Sequence, residues 1–205
     1  MLVCLIYFII IENMISEKEI LSLAEEKIAD FPENNFTIVS VGRLVEAKIH
    51  EVGVEVMRIL KSRNLKFNWL ILGEGNKRPY IEDKIKKYNL EKYITLLGEN
   101  DNPYPYIKKA DIFLHLSKFE GYGIAIAEAR ILKKYIVLND FTTSASHITN
   151  GVDGVIAPLD PEMIASEIEK LIVDENLRRK YEKNVSFDPD FAQRILRKID
   201  QIIES

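Results

Sequence analysis

The chain has 205 residues, 47% hydrophobic and 29% charged, which is enough for one domain to bury about 70% of its unfolded surface. Its formal net charge of −4 and its lack of a long basic run argue against a general nucleic-acid-binding protein. The single cysteine, Cys4, excludes an internal disulfide framework and a cysteine metal cluster, and is compatible with a reducing compartment.

Residues 1–11 are almost wholly apolar, but they are too few to cross a bilayer as a helix, which needs about 20 residues. No basic residue precedes them and no small-residue cleavage site follows, which argues against a signal peptide. We interpret the segment as a buried strand or an ill-fitting start, with a short membrane-contacting segment as the alternative. Residues 12–30 have helical spacing, and Ser16 with Glu19 forms a candidate capping box.

From residue 36 onward, strand patterns alternate with helix patterns. Short apolar runs predict strands at 36–41, 67–72, 94–97, 111–116, 135–138 and 154–157. Helical spacing predicts helices at 51–62, 78–88, 124–134, 161–173, 175–183 and 189–204. Repeated strand–helix units are typical of an α/β fold, here a Rossmann-like parallel sheet with helices on both faces.

A Pro- and Asn-containing stretch at 31–35 separates the first helix from the strand–helix units. We therefore predict an N-terminal segment with a linker helix (1–35), a Rossmann-like domain (36–186) and a C-terminal helix (187–205). Ligands of open parallel sheets bind at the carboxyl ends of the strands. The site is therefore expected after Val41, Leu72, Leu97, Leu116 and Leu138.

The first candidate site follows the first predicted strand. Gly42 lets the chain turn sharply and lets a ligand approach the backbone. Arg43 and Lys48 add two cations after the carboxyl end of this strand, and a guanidinium with a mobile ammonium suits a diphosphate. An arginine and a lysine in a loop are more often simply solvated, so these residues are a weak signal by themselves.

The second candidate site follows the strand predicted at 111–116. Gly121 and Gly123 flank Tyr122 and lead into an apolar helix, whose free N–H groups and dipole form an anion site. Glu120 lies in the loop, and Glu128 lies within the helix among apolar residues. A carboxylate in such a helix is either on a solvated face or buried, and a buried one must be paired or bound to a ligand.

The pattern from Glu120 to Glu128 resembles the E-x7-E motif of the retaining GT-B glycosyltransferases, specifically the large group called family four. Other segments are similar to that family in the same order: 41–44 with Lys48, 72–75, 94–98, 102–111 and 148–154. The resemblance covers about residues 16–185 and implies one half of a GT-B fold, the domain that binds the nucleotide-sugar donor.

By this resemblance Arg43 and Lys48 hold the diphosphate, Glu128 takes the ribose hydroxyls, and Glu120 contacts the transferred sugar as the candidate catalytic residue. The other donor-binding residues implied are Gly42, Leu97, Gly98, Gly121, Tyr122, Gly123 and Ile124. The resemblance also implies that no metal and no cofactor is needed, because these groups neutralise the donor's charge.

Several features depart from the family pattern or lie outside it. The family often has glycine where Ile49 stands and an acidic residue where His147 stands; we expect His147 to be an ordinary surface or interface residue. His50 and His115 are interpreted as a helix-start residue and a strand residue. The Asp188-Pro189-Asp190 sequence is interpreted as a helix start, not a metal site.

The expected function is transfer of a sugar from a UDP- or GDP-sugar to a glycan or lipid-linked acceptor with retention, in surface polysaccharide synthesis. The acceptor domain is expected to be missing from this chain, so the expected partner is a separate acceptor-domain protein or the membrane surface. The expected location is cytoplasmic, with the inner membrane face as an alternative. The alternative function is a non-catalytic nucleotide-sugar-binding module or a truncated remnant. A dinucleotide-binding domain is disfavoured, because G-x-G-x-x-G does not follow the first strand.

Overall fold

The structure, a computed structural model, describes residues 17–28, 31–32, 35–121 and 123–185. The strands are β1 Phe36–Val41, β2 Phe67–Leu72, β3 Ile94–Gly98, β4 Ile112–His115, β5 Tyr135–Asn139 and β6 Gly154–Ala157. The helices are α1 Glu17–Leu23, α2 His50–Ser62, α3 Arg78–Lys87, α4 Tyr104–Lys109, α5 Ile124–Ile131, α6 Ser144–His147, α7 Pro161–Val173 and α8 Glu175–Asn184. A 3-10 turn at Glu46–Lys48 precedes α2.

The strands form one parallel sheet in the order β3-β2-β1-β4-β5-β6. Their near-continuous apolar sequences fit this arrangement, because both faces of the sheet are covered by helices. The strand order reverses between β1 and β4, so the loops that follow these two strands diverge to either side of a crevice. The predicted Rossmann-like α/β fold is therefore confirmed.

Two hydrophobic clusters fill the space between the sheet and its helices. One joins the sheet to α2, α3 and α7, with Met57, Leu60, Ile81 and Ile168 among its buried residues. The other joins it to α1, α4 and α5, and Ile20 of α1 belongs to it. The helix that the sequence assigns to the N-terminal segment therefore packs on the same core as the strand–helix units.

Trp69 links the centre of the sheet to α2. Its indole nitrogen donates to the Ser40 hydroxyl at 2.9 Å, and that hydroxyl donates to the Leu114 carbonyl at 2.6 Å. The ring fills the space beside Gly53, where a Cβ would lie 2.3 Å from the Trp69 Cη2 atom. Gly53, an unfavourable residue inside a helix by propensity, is therefore required by the close approach of this ring.

The observed elements follow the predicted ones closely, with local differences. Helix α5 ends at Ile131 instead of residue 134, because Lys133 turns left-handed with φ 56° and terminates it. Helix α4 was not predicted, because two prolines so close together are typical of a loop. Pro103 is its N-cap residue and Pro105 lies in its first turn, where no intrahelical N–H is needed. The predicted helix at 189–204, the Ser16 cap and residues 1–11 lie outside the described residues.

Within the described ranges, no helix combines the length and the apolar character needed to cross a bilayer. The longest helices, α2 and α7, have 13 residues each, and both are amphipathic helices that cover one face of the sheet. The division of the chain at 35 and 186 remains a prediction.

We expect Gly53→Ala to lower the free energy of unfolding by about 1–3 kcal/mol, because the added methyl group displaces the buried Trp69 ring. Helix propensity alone would favour alanine by about 1 kcal/mol, so a stabilised variant would contradict this packing. The measurement is urea unfolding followed by circular dichroism. Gly121→Ala is the matched control, since nothing lies within 4 Å of a Cβ at that position.

Candidate functional site

The loops after β1 and β2 are joined backbone to backbone at the carboxyl edge of the sheet. Gly42 N–H donates to the Leu72 carbonyl at 2.9 Å, and Leu44 N–H donates to the Glu74 carbonyl at 2.8 Å. A Cβ at Gly73 would lie 2.1 Å from the Gly42 carbonyl oxygen. Glycine at this position therefore lets the two loops touch, which fixes the backbone that carries Arg43 and Lys48.

The two predicted cations of the first loop have different environments. Arg43 is exposed at the rim of the crevice. Lys48 ends the 3-10 turn with a side chain that is only 22% exposed, and its stem passes 3.8 Å from the Cβ position of Gly42. Lys48 is therefore held inside the crevice, whereas Arg43 is free to adjust to a ligand.

Lys48, Glu120 and His115 form a cluster at the reversal of strand order. The Lys48 ammonium pairs with Glu120 Oε2. His115 Nε2 at the end of β4 lies 2.8 Å from the same oxygen and 3.4 Å from Lys48 Nζ. The structure thus joins two residues that the sequence predicted separately, and it adds His115.

The charge state of Glu120 follows from these contacts. Burial by itself would raise the pKa of the Glu120 carboxyl, but hydrogen bonds from His115 and Lys48 and the charge of Lys48 lower it from 4.5 to about 2. Burial lowers the pKa of His115, with the nearby Lys48 charge adding to the effect. At neutral pH the cluster therefore contains a carboxylate, an ammonium and a neutral imidazole.

The loop that carries Glu120 is anchored at both ends. Asn139 clamps Ser117 by accepting from its N–H at 2.8 Å and donating to its carbonyl at 2.9 Å. The Thr143 hydroxyl donates to the Glu120 carbonyl at 2.7 Å. The main chain of Glu120 is therefore fixed by β5 and the residues after it.

Gly123 is the N-cap residue of helix α5 and adopts a left-handed φ of 67°. The first N–H groups of the helix have no intrahelical acceptors and lie beside the Glu120 loop, which fits the predicted anion site. Ile124 is 41% exposed at this end, and Gly121 is exposed as well. Tyr122 lies outside the described residues.

His147 is fully buried, which corrects the expectation of a surface or interface residue. It ends the short helix α6 directly against Gly123, where a Cβ would lie 2.6 Å from its Cε1 atom. Burial lowers its pKa to about 4. The polar sequence around it gave no sign of burial, because the contact with Gly123 joins residues distant in the chain.

A buried ion pair holds the segment that carries His147. Arg130 of α5 lies 3.0 Å from Asp153, and both side chains are largely buried. The Arg130 guanidinium also donates to the His147 carbonyl, and Asp153 accepts from the Thr149 N–H at 2.6 Å. Breaking such a pair leaves an uncompensated buried charge, so this contact fixes α6 against α5.

Glu128 lies one turn into α5 and is half-buried, and it contacts a different partner from Glu120. The Tyr104 hydroxyl of α4 donates to its Oε1 at 2.9 Å. Burial raises the pKa of Glu128, and the hydrogen bond from Tyr104 acts in the opposite direction. The buried-carboxylate interpretation of Glu128 is therefore the one that the structure supports.

Leu97 and Gly98 end β3 at the far side of the crevice. Gly98 has a left-handed φ of 79°, and its carbonyl accepts from the Gly73 N–H at 2.7 Å. A Cβ at Gly98 would lie 3.1 Å from Glu74 Oε1. These residues are part of the same carboxyl edge, but two strands separate them from the Lys48–Glu120 pair.

Ile49 occupies the position where the resemblance favours glycine. Its φ of 26° lies in a region that side-chain-bearing residues rarely adopt, and it precedes the first residue of α2. The side chain is buried in the cluster beneath α2. The backbone turn expected of glycine is therefore made, with an isoleucine that packs into the core.

No group of three His, Cys, Asp or Glu side chains in the described part of the chain has an arrangement that could hold a metal ion. Asp188 and Asp190 lie outside that part. The sequence reasoning missed His115 and Tyr104 as site residues. The signal for His115 was a polar side chain within an apolar strand, since a buried polar group needs a partner; the sequence carried no such signal for Tyr104.

Residues 23–186 match the family model of the glycosyl transferases group 1. The chain belongs to this family. Among its relatives, a Campylobacter jejuni N-acetylgalactosaminyltransferase that acts on a diphospho-undecaprenol-linked sugar is 29% identical over 162 residues, 78% of this chain and 44% of that protein. The capsular polysaccharide glycosyltransferase CapM of Staphylococcus aureus is 29% identical over 157 residues, 75% of this chain and 41% of that protein.

Solved structures agree with the fold. Anabaena HepE, crystallised with UDP and glucose, has a TM-score of 0.69 at 20% identity, covering 84% of this chain and 49% of that one. S. aureus TarM, crystallised in a complex that contains UDP, has a TM-score of 0.70 at 23% identity, covering 88% and 38%. This chain of the glycosyl transferases group 1 family thus spans half or less of the length of these relatives.

We expect Glu120→Gln to lower the free energy of unfolding at pH 7. The folded-state pKa of Glu120 is depressed to about 2 from 4.5, so its stabilisation is present above pH 4.5 and is lost as the pH falls towards 2. The difference between variant and wild type should therefore shrink over that window. Urea unfolding at several pH values measures it, with the exposed Glu91→Gln as control; a difference that stays constant with pH would contradict the assignment.

We expect Tyr104→Phe to raise the pKa of Glu128 further above its usual value, because the variant removes a hydrogen bond that favours the carboxylate. Carbon-13 NMR titration of the glutamate carboxyl groups measures this shift. Tyr106→Phe on the same helix is the matched control. An unchanged or lowered pKa in Tyr104→Phe would show that the Tyr104 hydroxyl does not hold Glu128.

Proposed function

We propose that this domain binds a nucleotide-sugar donor and acts in glycosyl transfer. The observation that carries the proposal is the meeting of Lys48 and Glu120 at the reversal of strand order, beside the start of α5. Cations and a helix N-terminus favour a diphosphate, and carboxylates favour sugar hydroxyls. A nucleotide sugar contains both kinds of group in a row.

The proposal assigns a role to the charged site residues and to the end of β3. Arg43, exposed at the rim, and Lys48, inside the crevice, bind the diphosphate together with the first N–H groups of α5. Glu120 accepts hydrogen bonds from the hydroxyls of the transferred sugar. Glu128 accepts hydrogen bonds from the ribose, since its pairing with the Tyr104 hydroxyl leaves lone pairs for a ligand. Leu97 and Gly98 form the part of the site that binds the nucleobase.

The proposed reaction transfers the sugar with retention of configuration. As the bond between sugar and diphosphate breaks, negative charge grows on the leaving diphosphate. Arg43, Lys48 and the positive end of α5 stabilise that charge, which lowers the barrier without a metal ion. Glu120, kept ionised by its low pKa, faces the positive charge that develops on the sugar.

The acceptor in this proposal is a glycan or a lipid-linked glycan. Its support is the activity of the relatives, which include a capsular polysaccharide glycosyltransferase and a transferase that acts on an undecaprenol-linked sugar. A second domain binds the acceptor and closes over the crevice, provided by a separate protein or by further chain of the same protein. We place the reaction in the cytoplasm or at the inner membrane face, consistent with the single cysteine.

Calorimetric titration of the full chain with UDP, GDP and their sugars tests the proposal. Since HepE and TarM were crystallised with UDP, UDP and its sugars are the first ligands to titrate. We expect one nucleotide to bind and Arg43→Ala to weaken it about 10-fold or more, because a charge-assisted hydrogen bond contributes about 1.5–3 kcal/mol. Glu128→Ala should weaken it similarly.

Lys66→Ala is the matched control, because Lys66 precedes β2 and therefore lies at the opposite edge of the sheet. It should leave the affinity unchanged. Absence of binding at millimolar ligand would contradict donor binding by this chain. Binding that yields no sugar transfer with any acceptor-domain partner would instead indicate a non-catalytic nucleotide-sugar-binding module.

A further inference from the structure

His115 has a fixed orientation at the bottom of the crevice. Its side chain is 4% exposed, its ring stacks on Phe113 with centroids 6.2 Å apart, and the edge of Phe141 lies against it at 6.4 Å. The ring cannot turn without disturbing both aromatic neighbours. Its Nε2 atom therefore stays aimed at Glu120 Oε2, 2.8 Å away.

The proton of His115 is located by its partner. Glu120 is ionised and can only accept hydrogen bonds. His115 is neutral at pH 7, so it carries a single ring proton, and the 2.8 Å contact requires that proton on Nε2. With Nε2 donating to Glu120, the Lys48 ammonium 3.4 Å away is a neighbour of His115 and not its hydrogen-bond donor.

Lys48 has two anionic partners to satisfy when a donor binds. Without ligand it pairs with Glu120, and in the proposed function it also binds the diphosphate. The main chain of Glu120 is held by Thr143, but among the described residues its carboxylate accepts hydrogen bonds from Lys48 and His115. When the ammonium turns towards the diphosphate, His115 is the donor that remains.

We propose that His115 is a positioning residue, which keeps the Glu120 carboxylate directed at the transferred sugar while Lys48 engages the diphosphate. This inference rests on the proposed function. The role needs the Nε2 hydrogen and the rigid ring, and it needs no charge on the imidazole. It predicts that loss of the hydrogen bond from His115 weakens binding of the sugar part of the ligand more than binding of the nucleotide part.

Other ionisable groups also lie near this cluster, and the experiment needs a control variant for them. Lys48 approaches from the loop after β1 and His50 from the start of α2, and His147 of α6, itself beside Arg130, interacts electrostatically with Glu120 and His115. His50 is buried, and burial lowers its pKa to about 4, so it too is neutral at pH 7. It makes no hydrogen bond to Glu120, which suits it as the control position.

The test compares His115→Leu, His115→Gln and the control His50→Gln in the full chain. Leucine removes the donor and keeps an apolar side chain between the two aromatic rings. Glutamine carries an amide nitrogen at about the reach of the imidazole Nε2, so it can restore the hydrogen bond. Thermal unfolding of each variant shows whether it is folded at the assay temperature.

Two measurements are made on each folded variant. Carbon-13 NMR titration follows the Glu120 carboxyl group, and calorimetry gives the ratio of Kd for the nucleoside diphosphate to Kd for its sugar nucleotide. In His115→Leu we expect the pKa of Glu120 to rise and the gain in affinity from the sugar to fall about 10-fold, because a hydrogen bond to a charged group is lost. His115→Gln should restore both values, and His50→Gln should leave both unchanged.

Several results would overturn the inference. One is an unchanged Kd ratio in folded His115→Leu; another is equal weakening of both ligands, which indicates a purely structural role. A folded His115→Gln that restores neither value would also overturn it. If the wild type binds no nucleotide, the proposed function fails separately. The hydrogen bond from His115 to Glu120 is then tested by the NMR titration alone, and an unchanged pKa of Glu120 in His115→Leu would refute it.

Discussion

The reversal of strand order between β1 and β4 is the constraint on which the rest of the site depends. It brings the loop that ends at Lys48 beside the loop that carries Glu120, although the two residues are 72 positions apart. In a parallel sheet whose successive strands were all added on the same side, the connection to the next strand would cover each loop. Here the loops diverge, and the crevice between them exposes a cation, a carboxylate and a helix start together.

The two carboxylates of the motif differ because their surroundings differ. Glu120 receives hydrogen bonds from Lys48 and His115, which keep its pKa near 2 despite burial. Glu128 has the neutral Tyr104 hydroxyl as its donor, and burial raises its pKa. A carboxylate beside a cation is a stable negative charge, whereas one beside a neutral donor gains from further hydrogen bonds. This difference suits the proposed roles, in which Glu120 faces developing positive charge and Glu128 faces neutral hydroxyls.

The sequence predicted the sheet well, because fully buried strands leave apolar runs such as Phe36–Val41 that need no knowledge of the rest of the chain. It also predicted which residues lie at the carboxyl edge, since that follows from where each strand ends. It could not predict the contacts of Tyr104 with Glu128 and of His147 with Gly123, because each partner comes from another element at a distance set by helix packing. His115 and Glu120 are only five residues apart, but their contact depends on the path of the loop after β4, which the sequence pattern does not specify. The early end of α5 was also not predictable, because Lys133 adopts a left-handed φ without being a glycine or asparagine, the residues that usually mark such a turn.

Ile49 shows how the site and the core share one stretch of backbone. A non-glycine residue at a φ of 26° costs on the order of 1–3 kcal/mol of strain. Burial of an isoleucine side chain stabilises by about 1.5–3 kcal/mol, so the packing of Ile49 under α2 is of the size needed to offset the turn. Glycine would make the turn without strain but would leave a cavity and a looser loop. The isoleucine therefore exchanges backbone freedom for rigidity directly after Lys48, which fixes the backbone from which the Lys48 side chain extends.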